Sequence, residues 1–315
     1  MDNLRLAFCK ASKGKHDYRQ VIEVERDLDN KLFEIQRMLL EGTFSTSAYK
    51  IRKIYEPKER IIYVLPFFPD RIVQHAIMNI VAPIWDSMFI YDSFSCRKNK
   101  GQHAASNRIM QFIGGKDDLY CLHCDISKFF PSINHDIMMK LIVHKIKDKR
   151  VLLLLKDIVY SIKGGVNAPI GNLTSQWLGN LYMHKVDLWI KQTYHIKKYV
   201  RYCDDFIIIH KDKKLLQHIR KELPVFLREN LKLHLSKCTL YPVNEIDFIG
   251  YRHFINRYIL IRKRTKRRMK RTIQSLKCHG ANNPEAVKSS IDGWLVHANS
   301  YNLRRVMYEG SSKDT

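Results

Sequence analysis

The stretch KKYVRYCDDFIIIHK, residues 197–211, decides the fold. Two aspartates, Asp204 and Asp205, stand side by side between two strand-like runs, one carrying Tyr199, Val200 and Tyr202, the other running from Phe206 to Ile209. β-Branched and aromatic residues on both sides predict a hairpin. Adjacent residues on a strand point to opposite faces, but a tight turn can present both carboxylates at one edge. Two carboxylates held close repel and share a proton unless a cation lies between them. Mg²⁺ removes that cost, because it takes oxygen ligands and keeps several waters. Taken alone, the pair also reads as a simple Asp-Asp turn, since Asp tolerates turn conformations.

A second stretch, YCLHCDISKFFPSINHD at 120–136, supplies another acid. Asp125 ends a strand that should be buried, and a buried carboxylate costs free energy unless something pairs with it. If this strand lies beside the hairpin, three carboxylates converge. That is the ligand set for two metal ions that clamp a phosphoryl group between attacking and leaving oxygens.

Outward from these stretches, strands and helices mix without strict alternation. Val21, Val24, Leu28, Leu32, Ile35 and Leu39 recur at helical spacing over 21–41, closed by Gly42. The runs 49–55 and 61–65 flank EPKER and predict a hairpin with a basic tip. Helices are expected over 70–85, 104–113, 134–145, 149–162, 173–191 and 213–229. Strands are expected over 119–124, 237–241, 246–251 and 258–261, with GGVNAPIGN at 164–172 as a loop. From Arg262 the chain reads as helical and basic. This mixture predicts an α+β fold, an antiparallel sheet backed by helices, rather than a doubly wound one.

With 315 residues, 45% of them hydrophobic, the chain can bury a sizeable core in roughly two domains. Lys and Arg number 55 against 31 Asp and Glu, a net charge of +24. Such an excess favours a polyanionic partner, because each neutralised phosphate releases counterions. A solvated basic surface is the plainer alternative. Seven scattered cysteines suggest a reducing compartment rather than a disulfide framework. Cys121 and Cys124 bracket His123, but no second C-x-x-C completes a zinc site, so none is expected. No apolar run reaches the ~20 residues of a membrane span, and the N-terminus is charged. The expected location is therefore cytoplasmic, with no membrane partner.

YCDD at 202–205 resembles the YxDD signature of reverse transcriptases, DISKFF at 125–130 their first catalytic-aspartate motif, and FIGY at 248–251 their primer grip. The order and spacing agree over 45–255. The resemblance implies a right-hand polymerase: an N-terminal helical extension (1–44), fingers with part of the palm (45–118), palm (119–255) and a basic helical thumb (256–315). It implies that Asp125, Asp204 and Asp205 bind two Mg²⁺ ions, with Mn²⁺ as a substitute. It implies that Phe130, five residues after Asp125, is the bulky gate that rejects a ribose 2′-hydroxyl. One of Phe129 and Phe130 should be core. Lys58 and Arg60 would grip the incoming triphosphate, Ile170 and Gly171 would line the dNTP site, and Lys237 would give a proton to the departing pyrophosphate. Arg71, Gln176, Gly250 and Tyr251 would contact nucleic acid, as would Arg262, Lys263, Arg264, Lys266 and Arg267 at the start of the thumb. The partners implied are template RNA, cDNA product and dNTPs.

The stretch APIGNLTSQWLGNLYM at 168–183 narrows the resemblance. Most relatives carry a glutamine where this chain has Ile170, and end the motif in Ser-Pro where it has Ser175 and Gln176. The form IGN-x-x-SQ, together with HANSYNLRR at 297–305, resembles the enzymes of diversity-generating retroelements. That subtype makes error-prone cDNA, with errors concentrated at adenines, from a template-repeat RNA. It works with a small basic pentameric accessory variability protein. The alternatives are a group II intron-like or antiphage enzyme, or a catalytically silent RNA-binding relative. The SQ ending and the lack of a visible maturase extension argue against the intron type. Three intact, mutually repelling carboxylates argue against the silent relative.

Overall fold

The computed structural model describes residues 1–55, 59–115, 118–279 and 283–308. Three helices open the chain: α1 (Asp2–Ser12), α2 (Arg19–Glu25) and α3 (Leu28–Glu41). The pattern over 21–41 predicted one helix, but the backbone breaks at Asp27 (φ −140°, ψ 47°), with no Gly or Pro to announce it. Helix α1 lies within the expected helical extension, and its Leu4, Ala7, Phe8 and Ala11 form a buried stripe at 3–4 spacing that was not singled out. Gly42 closes α3 in the left-handed conformation, φ 69°. Then comes the hairpin of β1 (Lys50–Ile54) and β2 (Arg60–Val64), paired Lys50 to Val64 and Ile54 to Arg60.

An irregular turn leads into α4 (Ile72–Asp86), followed by α5 (Gln102–Ile113), β3 (Tyr120–Ile126), the single turn α6 (Phe129–Ser132), α7 (His135–Lys145), α8 (Lys149–Tyr160) and α9 (Leu173–Leu188). The Asn134 and Asp148 side chains cap α7 and α8 by accepting from Ile137 and Val151 N–H. The hairpin of β4 (Lys198–Tyr202) and β5 (Asp205–His210) follows, then α10 (Lys213–Leu231) and β6 (Leu235–Pro242). A second small sheet holds β7 (Glu245–Phe248), β8 (Tyr251–Phe254) and β9 (Ile259–Ile261). Helices α11 (Lys263–His279), α12 (Pro284–His297) and α13 (Tyr301–Tyr308) end the described chain. The run 246–251, expected as one strand, is a hairpin: Ile249 (φ 46°) and Gly250 (φ 88°) form its two-residue turn.

The central sheet is antiparallel in the order β4-β5-β3-β6. Its middle strands read as continuous apolar runs because both faces are covered. Leu122, Cys124, Phe206 and Ile208 join the core built with α9 and α10, while Cys121, Ile207 and Ile209 join the core built with α5 and β7. Asp125 and Asp205, at the same end of β3 and β5, are only partly buried, although Ile126 beyond Asp125 returns to the core. Cys121 and Cys124, three apart on one strand, fall into opposite cores, so they cannot share an ion. A third core, around Tyr251, Met269, Ile291 and Leu295, unites β8 with α11 and α12.

Candidate active site

Strand β3 lies antiparallel to β5 with Asp125 directly opposite Asp205. Tyr202 pairs with Asp205, so Cys203 and Asp204 form the whole hairpin turn, with Cys203 at φ 61°. Register alone therefore brings the two acidic stretches to one sheet end. Arg201 stabilises the strained turn from behind. It is fully buried, forks onto both carboxylate oxygens of buried Asp187 (Nε to Oδ1 and Nη2 to Oδ2, each 2.7 Å), and donates from Nη1 to Asn180 Oδ1 and to the Cys203 carbonyl, each 3.0 Å. Tyr199 Oη donates to the same Asp187.

Each flanking carboxylate has a partner that sequence reasoning missed. Ser236 Oγ donates to Asp125 Oδ2 at 2.6 Å. His123 Nε2 lies 2.8 Å from Asp205 Oδ1, and Lys237 Nζ lies 3.1 Å from His123 Nδ1. Asp204 is pushed up to about 6, chiefly by burial, with the charges of Asp125 and Asp205 adding to the shift. Among the described residues no three carboxylate, thiol or imidazole groups already stand as a closed metal cage. Three oxygen-donor groups at one sheet end, one of them raised chiefly by burial and further by the others' charge, fit a hard divalent ion.

That shift sets the sign of a pH effect. The folded value lies above the ordinary 3.8, so well below pH 3.8 the carboxyl is protonated folded and unfolded and costs nothing. Above about pH 6 the fold carries a charge that the unfolded chain holds more easily, a destabilisation of up to about 3 kcal/mol. Asp204→Asn should therefore stabilise the metal-free protein by about 2 kcal/mol more at pH 7.5 than at pH 4.5. Urea unfolding in EDTA at the two pH values measures this; an equal effect at both would reject it.

Beside the carboxylates runs a continuous wall. Phe129 is buried and Phe130 half-exposed, both against Gly179, where a Cβ would come within 3.2 and 3.3 Å of the two rings. The Phe130 carbonyl accepts from Ala168 N–H (2.9 Å), and the Ile170 carbonyl from Tyr63 N–H (2.8 Å). Gly171 (φ +123°) is pressed on β2, where a Cβ would meet the Tyr63 carbonyl at 2.4 Å. Backbone bonds thus tie the 164–172 loop to α6 on one side and to the β1–β2 hairpin on the other. Arg60 is exposed on that hairpin, while Lys58 lies outside the described residues. Gln176 is exposed on α9; Arg71 is half-buried with Nε 3.4 Å from the Leu65 carbonyl.

The FIGY turn differs from expectation. Tyr251 is fully buried, its hydroxyl 3.0 Å from His103 Nε2 and its ring stacked on Trp294 at 4.8 Å. It joins β8 to α5 and α12 and presents nothing to nucleic acid. Gly250 faces the same indole: a Cβ there would lie 2.7 Å from Trp294. Arg262 donates to Asp247 Oδ1 at 2.5 Å and is half-buried. Lys263, Arg264 and Arg267 are exposed and Lys266 half-exposed, while α11 buries Met269 and Ile273.

A family model described as reverse transcriptase (RNA-dependent DNA polymerase) matches residues 51–253, which contain the three carboxylates and the wall beside them. The chain belongs to the reverse transcriptase family. It is similar to Protein YkfC of Escherichia coli (strain K12), 25% identical over 87% of this chain and 83% of that protein. It is also similar to the group II intron-encoded protein LtrA of Lactococcus lactis subsp. cremoris, 24% identical over 78% of this chain but only 53% of LtrA. The fold resembles apo telomerase from Candida tropicalis, with a TM-score of 0.56 and 12% identity over 69% of this chain and 49% of that one. It also resembles telomerase from Candida albicans in complex with a fragment of telomeric RNA, with a TM-score of 0.52, 12% identity, and coverage of 80% and 55%.

This reverse transcriptase therefore has the right-hand polymerase fold, and it is an RNA-directed DNA polymerase that takes an RNA template. Reverse transcriptase domains use divalent metal ions, which agrees with the oxygen donors at the sheet end. No helix among the described residues of this reverse transcriptase is long and apolar enough to cross a membrane. His123 and Asp125 share one face of β3, so a period-2 reading could have found the histidine. Arg201 and Asp187 carried no such signal, because a charged pair reads as surface until the fold buries it.

Proposed function

We propose that Asp125, Asp204 and Asp205 hold two Mg²⁺ ions, and that the enzyme is the mutagenic polymerase of a diversity-generating retroelement, copying a template-repeat RNA into error-prone cDNA. When bound, the ions lower the pKa of the primer hydroxyl and neutralise the charge that develops on the transferring phosphoryl group. The chain does the rest. Arg60 grips the triphosphate through charge-assisted hydrogen bonds. Lys237 gives one of its three hydrogens to His123 and keeps two for the departing pyrophosphate. The exposed bases of α11 contact duplex phosphates without reading sequence. The observation that carries the polymerase reading is the register, Asp125 opposite Asp205 beside the Asp204 turn. Primer extension on an RNA template, with Mg²⁺ and with EDTA, tests it; extension that survives EDTA would reject it.

Phe130 is the proposed gate. Its ring is half-exposed beside the fully buried Phe129, where it would collide with a 2′-hydroxyl. Phe130→Val should raise incorporation of ribonucleotides relative to deoxyribonucleotides on the order of tenfold to a hundredfold. Competing rNTP and dNTP kcat/KM values measure it, and an unchanged ratio removes the gate.

The retroelement subtype rests on Ile170. Its backbone is pinned to Tyr63 whatever the side chain, so substitution there changes side-chain chemistry alone. An isoleucine offers no amide to hydrogen-bond a nucleotide or template base, which weakens the penalty against a misfitted pair. Ile170→Gln should lower misincorporation opposite template adenine about tenfold, roughly 1.4 kcal/mol; an unchanged error spectrum counts against the subtype. Co-purification with a small basic pentameric protein is a second test. An intron-type enzyme is the other reading, favoured by the similarity to LtrA. It predicts accurate copying opposite adenine by the unsubstituted enzyme.

A further inference from the structure

Asp205 is the one carboxylate of the three that touches a ring, and that ring is tightly held. His123 is 5% exposed and lies on the same face of β3 as Asp125. Its Nδ1 is 3.1 Å from Lys237 Nζ, and its Nε2 is 2.8 Å from Asp205 Oδ1. An ammonium has hydrogens to give and no lone pair to receive with. Nδ1 must therefore accept, which leaves the ring hydrogen on Nε2, aimed at Asp205. Phe248 braces the ring edge-on, centroids 5.5 Å apart at 66°. Phe248 is fully buried and sits at the end of β7, directly before the Ile249–Gly250 turn. Three elements thus fix one imidazole: β6 through Lys237, β7 through Phe248, and β3 through the backbone.

We propose that His123 is a positioning residue. Its Nε2–H engages Oδ1 of Asp205 and fixes the rotation of that carboxylate, so that the other oxygen is presented toward the cluster it forms with Asp125 and Asp204. Lys237 acts in this arrangement by fixing the tautomer. The inference rests on the reading of Asp205 as a metal ligand. It follows the general pattern in which partners of ligating groups set their orientation, with losses of 10- to 100-fold in metal affinity or activity when the partner is removed.

The test compares two substitutions of one buried side chain. His123→Leu fills the space without a donor; His123→Gln places an amide N–H near the position of Nε2. Binding of Mn²⁺ alone to the full chain, at fixed pH and without nucleic acid, is followed by electron paramagnetic resonance. His123→Leu should weaken Mn²⁺ roughly 10- to 100-fold, and His123→Gln should restore affinity to within about threefold of the unsubstituted protein. In primer extension the leucine variant should lose kcat at ordinary metal concentration, recover it at high metal, and keep the KM for dNTP. Equal loss in both variants, or Mn²⁺ affinity of His123→Leu within twofold of the unsubstituted protein, overturns the proposal. Should the leucine variant fail to fold, Lys237→Met takes its place, since that side chain is exposed. It should shift the ¹⁵N signals of His123 from a single tautomer toward a mixture and weaken Mn²⁺; an unchanged spectrum and affinity again overturn the proposal. Asp125→Asn is the control that separates the two readings. If it binds Mn²⁺ like the unsubstituted protein, the metal reading itself fails and the role of His123 falls with it. If it loses Mn²⁺ while His123→Leu does not, only the histidine's role fails.

Discussion

Asp125→Asn and Asp204→Asn should each slow primer extension on an RNA template about a thousandfold or more, a loss of roughly 4 kcal/mol of transition-state stabilisation. Asparagine keeps the size of the side chain and removes the charge. At Asp125 it also keeps an oxygen able to accept from Ser236 Oγ, so the turn and register should survive. On the proposed metal reading, what goes is anionic ligation at the point where phosphoryl charge develops, the kind of electrostatic contribution that dominates such reactions. Asp204 gives the sharper case, because its two effects have opposite signs. The carboxyl is pushed up to about 6 by burial and by its two acidic neighbours, so neutralising it relieves the fold while it ends the chemistry. A variant both more stable at neutral pH and nearly inert identifies a group kept for function at the expense of stability. Extension rates within tenfold of the unsubstituted enzyme for either variant would sink the assignment.

The site was legible where chemistry and periodicity coincide. Asp204 and Asp205 stood out because two charges interrupt an apolar hairpin, and the turn lies where the flanking runs place it. Asp125 was legible because a buried strand ends on it. One of Phe129 and Phe130 was expected in the core, and Phe129 is the buried one; both rings lie against Gly179, which no local pattern announced. The failures have a common origin. Tyr251 was read as a nucleic-acid contact from its motif, yet the partner that buries it, Trp294, is 43 positions on and no local pattern joins them. The break at Asp27 has no breaker residue, so a helix-period pattern ran straight through it. Local signals give strands, turns and acids; they do not give which polar side chains the fold turns inward.

Arg201 is the strongest instance, and it carries the second large effect. Arg201→Met should destabilise the protein by about 3–5 kcal/mol, because Asp187 would remain buried with its charge unpaired. Both side chains are fully buried and meet in a two-point fork. Removing both charges is a different experiment. In Arg201→Met combined with Asp187→Leu no buried charge is stranded, and such replacements are often neutral or stabilising. Urea unfolding should therefore show most of the lost stability restored in the double variant. Activity should not return with it. Arg201 Nη1 also donates to the carbonyl of Cys203, the residue held at φ 61° immediately before Asp204. A thioether cannot replace that donor, and a cysteine outside the usual backbone regions relaxes when its restraint goes. A shift of the turn by about 1 Å costs on the order of a hundredfold in rate, so the double variant should fold well and extend primers about a hundredfold more slowly. If it regained both stability and rate, the Arg201–Asp187 pair would be scaffolding for the sheet and the turn would hold its shape unaided.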